Sequence, residues 1–514
     1  MSAPAATLLE LCDAGSGDAF GDWTKVHILG ISTDSRQVRQ GDLFFGLPGT
    51  ATDGARYAKE ALWRGAAAVV LPEGAEIPPG AAGLLSPDPF AALASAARRL
   101  YGDPARELDI VGITGTNGKT TTALLTAHLL RAHGDEASSW TTTLVEIGRA
   151  SFRPQWTTPP AHELQRFLRT AVDEGVRRIV MEVSSHAIPQ QRIAGIDFAV
   201  GIATNFSPDH LDFHGTVERY HAAKHAFIQG IGDQAMALLN ADDPAILAMR
   251  EGARARIVTF GRSESADVRV RGVETSAHSV QGWLEVRGGV LGNPARYPFR
   301  LPMTGDHNAL NAAAAFAAAV WLGVPPSHAT RALRFFSPPP RRLQRQRVGP
   351  YVIYNDVAMN EASYDAVLRT LAQTPPEQLV VVHALRGNRG AEVNARIAQI
   401  FSRWDGRLRF SPLIVSESRL ELSRGGVDRT VRPEERDAFR AAAEKLGLHC
   451  LFHVELDAAI AEAVTRLAPG GVLLLLGTFG MDRGPSKARA MLRARLGLPA
   501  QEEADYLSPQ LGGF

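Results

Sequence analysis

The run Gly112-Ile113-Thr114-Gly115-Thr116-Asn117-Gly118-Lys119-Thr120-Thr121 carries the plainest chemistry in the chain. It follows a short apolar stretch, residues 108–114, and opens a helical pattern in which Leu124, Leu125, Leu129 and Leu130 are apolar. Strand, glycine-rich loop and helix in that order are the context a phosphate-binding loop requires. Glycines let backbone N–H groups close around phosphate oxygens, and the helix N-terminus adds partial positive charge. In that setting Lys119 would neutralise β- and γ-phosphates and the Thr120 hydroxyl would hold Mg2+. The spacing is not the standard Walker one, because the first glycine falls one place early and Ile113 takes its slot. A ligand-free tight turn would need the glycines but not the lysine and paired threonines beside them.

A second group of residues suits hard cations. Met181-Glu182-Val183-Ser184-Ser185-His186-Ala187 reads as a strand end, where ligands collect in open α/β sheets. Thr204-Asn205-Phe206-Ser207-Pro208-Asp209-His210-Leu211-Asp212 again comes straight after a strand pattern, and Tyr220-His221-Ala222-Ala223-Lys224 lies on a helical one. Acids, histidines and a lysine brought to one face could hold a divalent cation beside a triphosphate. Singly each has an ordinary reading as a surface acid, a packed histidine or a solvated lysine. Their order downstream of the phosphate loop favours a shared role.

The elements that must position these groups follow from periodicity. Residues 1–103 mix short apolar strands (43–47, 67–71) with helical stretches (57–64, 90–100), and Asp103-Pro104 then punctuates the chain. Residues 104–337 alternate buried-strand patterns (108–114, 178–183, 198–204, 236–239) with helices, which predicts a parallel sheet covered on both faces. Within that block, residues 265–300 read as a small antiparallel excursion of hairpins, and an Ala-rich helix spans 307–322. Ser337-Pro338-Pro339-Pro340 is a stiff linker. Residues 338–514 alternate again, with strands at 351–356, 378–384, 412–415 and 471–476, as a second doubly wound domain. The expected fold is therefore α/β in three domains.

Bulk properties agree with a soluble enzyme. The 514 residues are too many for one ordinary core. Lys plus Arg total 55 against 54 Asp plus Glu, a net charge of +1, which gives no reason to expect nucleic acid as a partner. Two distant cysteines, Cys12 and Cys450, fit a reducing compartment. No signal-peptide pattern or membrane-length apolar run is visible, so a cytoplasmic location is expected.

The phosphate loop resembles the variant loop of the Mur ligases and folylpolyglutamate synthases, three-domain enzymes that couple ATP hydrolysis to amide formation. The resemblance implies that a substrate carboxylate attacks the γ-phosphate and that an amine captures the acyl phosphate. It implies a nucleotide-binding role for Gly115, Thr116, Asn117, Gly118, Lys119, Thr120 and Thr121, with Thr120, Glu182 and His210 as Mg2+ ligands. Lys224 resembles the lysine that the family carbamylates. Gly305-Asp306-His307-Asn308 is similar to the family's adenine segment, with Asn308 reading the base. Arg342 matches the arginine after the linker, although the usual preceding glycine is Arg341, and Asp356 matches the acid that holds the ribose.

The first block resembles the UDP-binding domain of the Mur ligases that add the third peptide residue, around Ser32-Thr33-Asp34-Ser35-Arg36. Folylpolyglutamate synthases lack it. By the same resemblance Ser35, Thr157, Thr158, Ser184 and Arg192 clamp the donor, a UDP-muramoyl-dipeptide, and the protein is a monomer. Thr, Ser and Arg suit that task as hydroxyl and bidentate donors. The third block departs from the pattern. The family's Asp-Tyr-Ala-His-Thr is Asp356-Val357-Ala358-Met359-Asn360, so its histidine is Met359. Asp-Asn-Pro-Arg is Ser416-Glu417-Ser418-Arg419, where only Arg419 persists, and Gly-Lys-Gly-His-Glu appears as Gly477 to Asp482 without a clear glutamate. Gly387-Asn388-Arg389-Gly390 keeps the outline of a Gly-Asp-Arg turn. Three readings stay open: a ligase adding a different third amino acid, a paralogue joining another acid and amine, or a non-catalytic binder.

Overall fold

The structure is a computed structural model that describes residues 6–499 except 13–15, 50–51, 149, 290, 389 and 424–428. Arg389 of the expected Gly-Asp-Arg-like turn therefore lies outside the described residues.

The strand Asp109–Thr114 forms where a β-branched run meets the phosphate loop, and Ile110, Val111 and Ile113 are all fully buried. Burial on both faces is what a central parallel strand demands. Its neighbours are Arg178–Glu182 on one side and Phe198–Ala203 on the other, both parallel to it. The parallel sheet continues outward through Ala137–Trp140 on the first side, and through Met236–Asn240, Arg256–Gly261 and Val268–Thr275 on the second. The loop helix Lys119–His133 and the Ala-rich helix His307–Trp321 cover one face. The helices Ala161–Asp173 and Val217–Gln229 cover the other. Seven alanines between Ala312 and Ala319 are completely buried, so this helix can lie close against the sheet and the loop helix.

The hairpins expected as a separate excursion are instead continuous with this sheet. Phe260 pairs with Val268 in parallel, after which Val280–Val286 and Ala295–Leu301 extend the same sheet antiparallel. Their alternation is legible in sequence, but the short parallel pairing that joins them to the larger sheet is not. At the opposite edge Val145–Ile147 and Ala150–Phe152 add a second antiparallel border.

Two further α/β domains flank this one. Gly30–Ser32, Asp42–Phe45, Ala68–Pro72 and Gly83–Ser86 form a parallel sheet edged by antiparallel Asp18–Phe20. After residues 337–340, which carry neither helix nor strand, the order in the last sheet is Gln344–Val348, Tyr351–Asp356, Val472–Leu476, Leu379–Ala384, Leu413–Ser416 and Cys450–His453. Only its first pair is antiparallel. Among the described residues no helix is long and apolar enough to cross a membrane.

Gly112 lets the central strand pack. A Cβ there would lie 2.6 Å from the Phe198 ring and 2.7 Å from that of Phe227, two rings already packed edge to face. Gly112→Ala is expected to overpack this layer and cost about 1–3 kcal/mol, read as a lower urea midpoint at unchanged m-value.

Candidate active site

The chain leaves Asp109–Thr114 toward one side of the sheet and later returns on the other, so a crevice opens beyond the carboxyl end of that strand. The phosphate loop fills this position. Gly115 (φ +136°) and Gly118 (φ +86°) both adopt backbone conformations that favour glycine. A Cβ on Gly115 would lie 1.9 Å from Thr204 Oγ1, and one on Gly118 would lie 2.6 Å from Asn311 Oδ1. The loop is pinned from the neighbouring strand's end: Thr116 N donates to Asn205 O and Asn117 N to Asn205 Oδ1, each at 2.9 Å. The first helical hydrogen bond runs from Thr122 N to Gly118 O. The amides of Lys119, Thr120 and Thr121 precede it, leaving the partly positive helix start that suits phosphate.

Lys119 folds back over this loop, its Nζ donating to Gly115 O at 2.9 Å and Thr116 O at 3.0 Å. Lys224 Nζ donates to the same Gly115 O at 3.0 Å and lies 4.5 Å from the Tyr220 ring centroid. Burial lowers the Lys119 ammonium below the ordinary lysine range, partly opposed by Glu182 and Asp209. It lowers Lys224 much further, aided by the charge on Lys119. Glu182, only 1% exposed, accepts from Thr120 Oγ1 (2.7 Å), Thr142 N (2.7 Å) and Thr142 Oγ1 (3.0 Å). Arg342 Nη2 donates to Thr120 Oγ1 at 3.0 Å, while its buried Nε has no partner. His210 packs edge-on against His186, with ring centroids 4.8 Å apart.

Glu182, His210, Lys224, Lys119, Thr116 and Thr120 line one cavity of about 460 Å3. Thr157, Ser184 and Arg192 line it too, and the Arg192 guanidinium sits 5.0 Å from the Trp156 ring. An adjoining cavity of about 280 Å3 is lined by Asn308 and Asp356. Asn117, Gly118, Thr121 and Arg342 line both. Ser207 Oγ and His307 Nδ1, both on the smaller cavity, are buried without a partner, as expected of a wall that faces a polar ligand. Asn308 donates to Thr304 O and accepts from Asn311 Nδ2. Among the described residues no three His, Cys, Asp or Glu converge to hold a metal ion. Thr120 and Glu182 are hydrogen-bonded oxygen donors beside the loop.

Three expected residues stand apart. Thr158 is completely buried, bonding Glu182 O and accepting from Ser184 N, so it shapes the strand end and does not line the cavity. Ser35, in the first domain, donates to Glu60 Oε2 and lines neither cavity. Arg419 pairs with Glu417 at 2.9 Å, which holds it outside both cavities. Several residues on the larger cavity were not singled out from sequence. Thr142 grips Glu182, Arg386 donates to Met359 O, and Arg429 stacks on Phe479 with 3.6 Å between guanidinium carbon and ring centroid. No local periodicity marks them. Arg341, in the usual glycine slot, has φ +58°, and its guanidinium reaches Thr478 O and Asp482.

Fold and cavities together define a three-domain α/β protein with a phosphate loop at the mouth of a nucleotide-sized crevice. Residues 113–319 match the Mur ligase middle domain, 341–479 the Mur ligase glutamate ligase domain, and 27–101 the Mur ligase catalytic domain. UDP-N-acetylmuramoyl-L-alanyl-D-glutamate–2,6-diaminopimelate ligase from Geobacter metallireducens is 35% identical over 71% of this chain and 71% of its own length. The enzyme of that name from Geobacillus kaustophilus is 31% identical over 88% and 89%. A solved structure bearing the same name superposes with a TM-score of 0.64 at 22% identity, covering 96% of this chain and all of that one. The chain belongs to the Mur ligase family. Members of this family are ATP-dependent, ADP-forming ligases.

Asp356 provides a pH test of the smaller cavity. Burial pushes its carboxyl up to about 6, against the pull of Arg342 and the Leu343 amide. The folded chain thus holds this proton more tightly than the unfolded one, so stability falls as pH rises from about 4 through 6. Asp356→Asn should raise the unfolding free energy at pH 7 by on the order of 1–3 kcal/mol, with the gain vanishing near pH 4 in parallel denaturant titrations.

Proposed function

We propose that this protein is an ATP-dependent ligase that adds an amino acid to UDP-N-acetylmuramoyl-L-alanyl-D-glutamate in the cytoplasm, within peptidoglycan precursor synthesis. The observation that carries this reading is the convergence of two lysine amino groups, Lys119 partly buried and Lys224 fully buried, with Glu182 and His210 around one cavity at the phosphate loop. A turn without a ligand gives no reason to gather two lysines on one carbonyl.

The roles follow from position. The helix-start amides and Lys119 receive the β- and γ-phosphates, with Lys119 exchanging two carbonyl partners for phosphate oxygens. Asn308 and Asp356 hold adenine and ribose in the smaller cavity, and Arg342 spans both. Thr120, Glu182 and His210 would hold Mg2+, together with phosphate oxygens and water, a donor set that fits a cation binding through few protein ligands. Mg2+ there supplies charge neutralisation at the transferring phosphoryl group.

Lys224 is held where its neutral amine is favoured. That amine can add to CO2, forming an N–C bond as one C=O π bond opens and releasing one proton to give a −1 oxygen ligand; counted from the ammonium, two protons leave and a repelling +1 becomes −1. Thr157, Ser184 and Arg192 orient the donor, whose UDP end lies on the first domain near Ser35. The donor carboxylate attacks the γ-phosphorus and ADP leaves. The amine nitrogen then attacks the acyl carbon, phosphate departs with the P–O bond intact, and the nitrogen loses a proton. Catalysis is largely positioning and charge stabilisation. Domain limits at 103/104 and 337/338 place these parts on separate units.

Phosphate release is expected to require ATP, the UDP donor and an amine together. Lys119→Ala and Lys224→Ala should each lower it by roughly 100–1000-fold or more in a coupled assay. Tight binding of the UDP donor with no release for any amine would instead mark a non-catalytic binder.

A further inference from the structure

The acceptor end of the larger cavity differs chemically from its phosphate end. Its acidic lining residues are Glu182, Asp209 and Asp212, all from the central domain. Glu182 is engaged by Thr120 and Thr142, and Asp209 accepts from Asn360 Nδ2 at 3.0 Å. The last domain contributes Leu385, Leu422 and Phe479, with Arg386 and Arg429, and no carboxylate among the described residues.

Among the described residues the acids beside this wall are engaged. Glu417 pairs with Arg419 and lies 3.8 Å from Arg436; Glu421 pairs with Lys487. Glu435 accepts from the amides of Asn388, Gly390 and Arg432. Asp482 pairs with Arg341 and Arg153. A cationic side chain entering here would meet two guanidinium groups and no free acid among the described residues, an arrangement that selects against it.

Arg429 shows what the wall does favour. Its guanidinium makes no hydrogen bond or ion pair among the described residues, and its face is stacked on Phe479. Stacking covers the face and leaves the N–H edge for a planar carboxylate, the partner that geometry suits. Phe479 is 43% exposed although it lines the cavity, while Leu385 and Leu422 behind it are buried. An apolar side chain laid on that ring would cover surface the fold leaves wet.

We propose that the acceptor is a neutral α-amino acid with an apolar side chain, its carboxylate held by Arg429 and its side chain resting on Phe479, Leu385 and Leu422. This specificity rests on the ligase reading above. It contrasts with the 2,6-diaminopimelate in the relatives' names, whose distal ammonium finds no counterpart on this wall.

The test uses the full chain in two stages. Donor, ATP and hydroxylamine report acyl-phosphate formation as hydroxamate, independently of any amino acid. Leucine, methionine, phenylalanine, lysine, ornithine and diaminopimelate are then compared as acceptors. The neutral set is expected to give kcat/KM at least about 10-fold above the dibasic set, the scale of an unpaired charge in a site. Arg429→Ala should raise the amino-acid KM by roughly 10–100-fold with a smaller change in kcat, and Arg429→Lys should recover part of it. Phe479→Glu, at an exposed position, should shift preference toward lysine. Hydroxamate formation with a preference for dibasic acceptors overturns this inference alone, as does an unchanged KM in Arg429→Ala. Absence of hydroxamate removes the ligase reading and this inference together.

Discussion

Two lysines share one carbonyl oxygen. Lys119 from a partly buried position and Lys224 from a buried one both donate to Gly115 O, and this arrangement cannot keep both fully charged without cost. Much of the surrounding structure answers that constraint. Tyr220 offers its ring to Lys224, and Glu182 and Asp209 oppose the rise in positive potential. A triphosphate arriving at the helix start would draw Lys119 outward, and loss of charge at Lys224 would relieve the remainder. The site therefore favours anions by its own electrostatic imbalance.

The sheet topology makes that crowding achievable. Phosphate loop, Glu182 and Thr204 lie at the carboxyl ends of three adjacent strands, so residues separated by almost ninety positions meet through backbone register. The third domain closes over the same point. Asn117 Nδ2 donates to Asn360 Oδ1 at 3.1 Å, and Arg342 bonds Thr120. Where the family pattern has histidine, Met359 lines the cavity with a side chain that cannot exchange protons, while Arg386 binds its carbonyl and brings a cation to that wall. Positive charge at this place is thus delivered from the end of Leu379–Ala384, which Val472–Leu476 separates from Tyr351–Asp356 in the sheet.

Legibility in the sequence followed the range of the interactions involved. The strand Tyr351–Asp356 and the phosphate loop are local features, set by a β-branched or aromatic run and by glycines whose backbone angles few other residues adopt. They could be read directly; Glu182, His210 and Lys224 were singled out by order and resemblance, and the fold brings them to one cavity. Strands such as Val145–Ile147 and Cys450–His453 are short and weakly patterned, and pairing with longer neighbours makes them. Arg429 and Arg386 gain their roles only when distant segments converge. Arg419, expected at the acceptor, is paired with Glu417 two residues away and lines neither cavity.

Arg341 joins two oddities of the third domain. It occupies a left-handed backbone position with φ +58°, and it binds Asp482 and the Thr478 carbonyl in the segment that lacks the family's glutamate. These two departures are halves of one contact and so are not independent changes. Glycine at 341 would ease the backbone but leave Asp482 with Arg153 as its remaining ion-pair partner, and neutralising 482 would leave Arg341 with neutral oxygen partners alone. An ancestral chain crossing between the two states would pass through a destabilised intermediate, unless both positions changed nearly together. The pair is expected to behave epistatically, each residue tolerable chiefly in the company of the other.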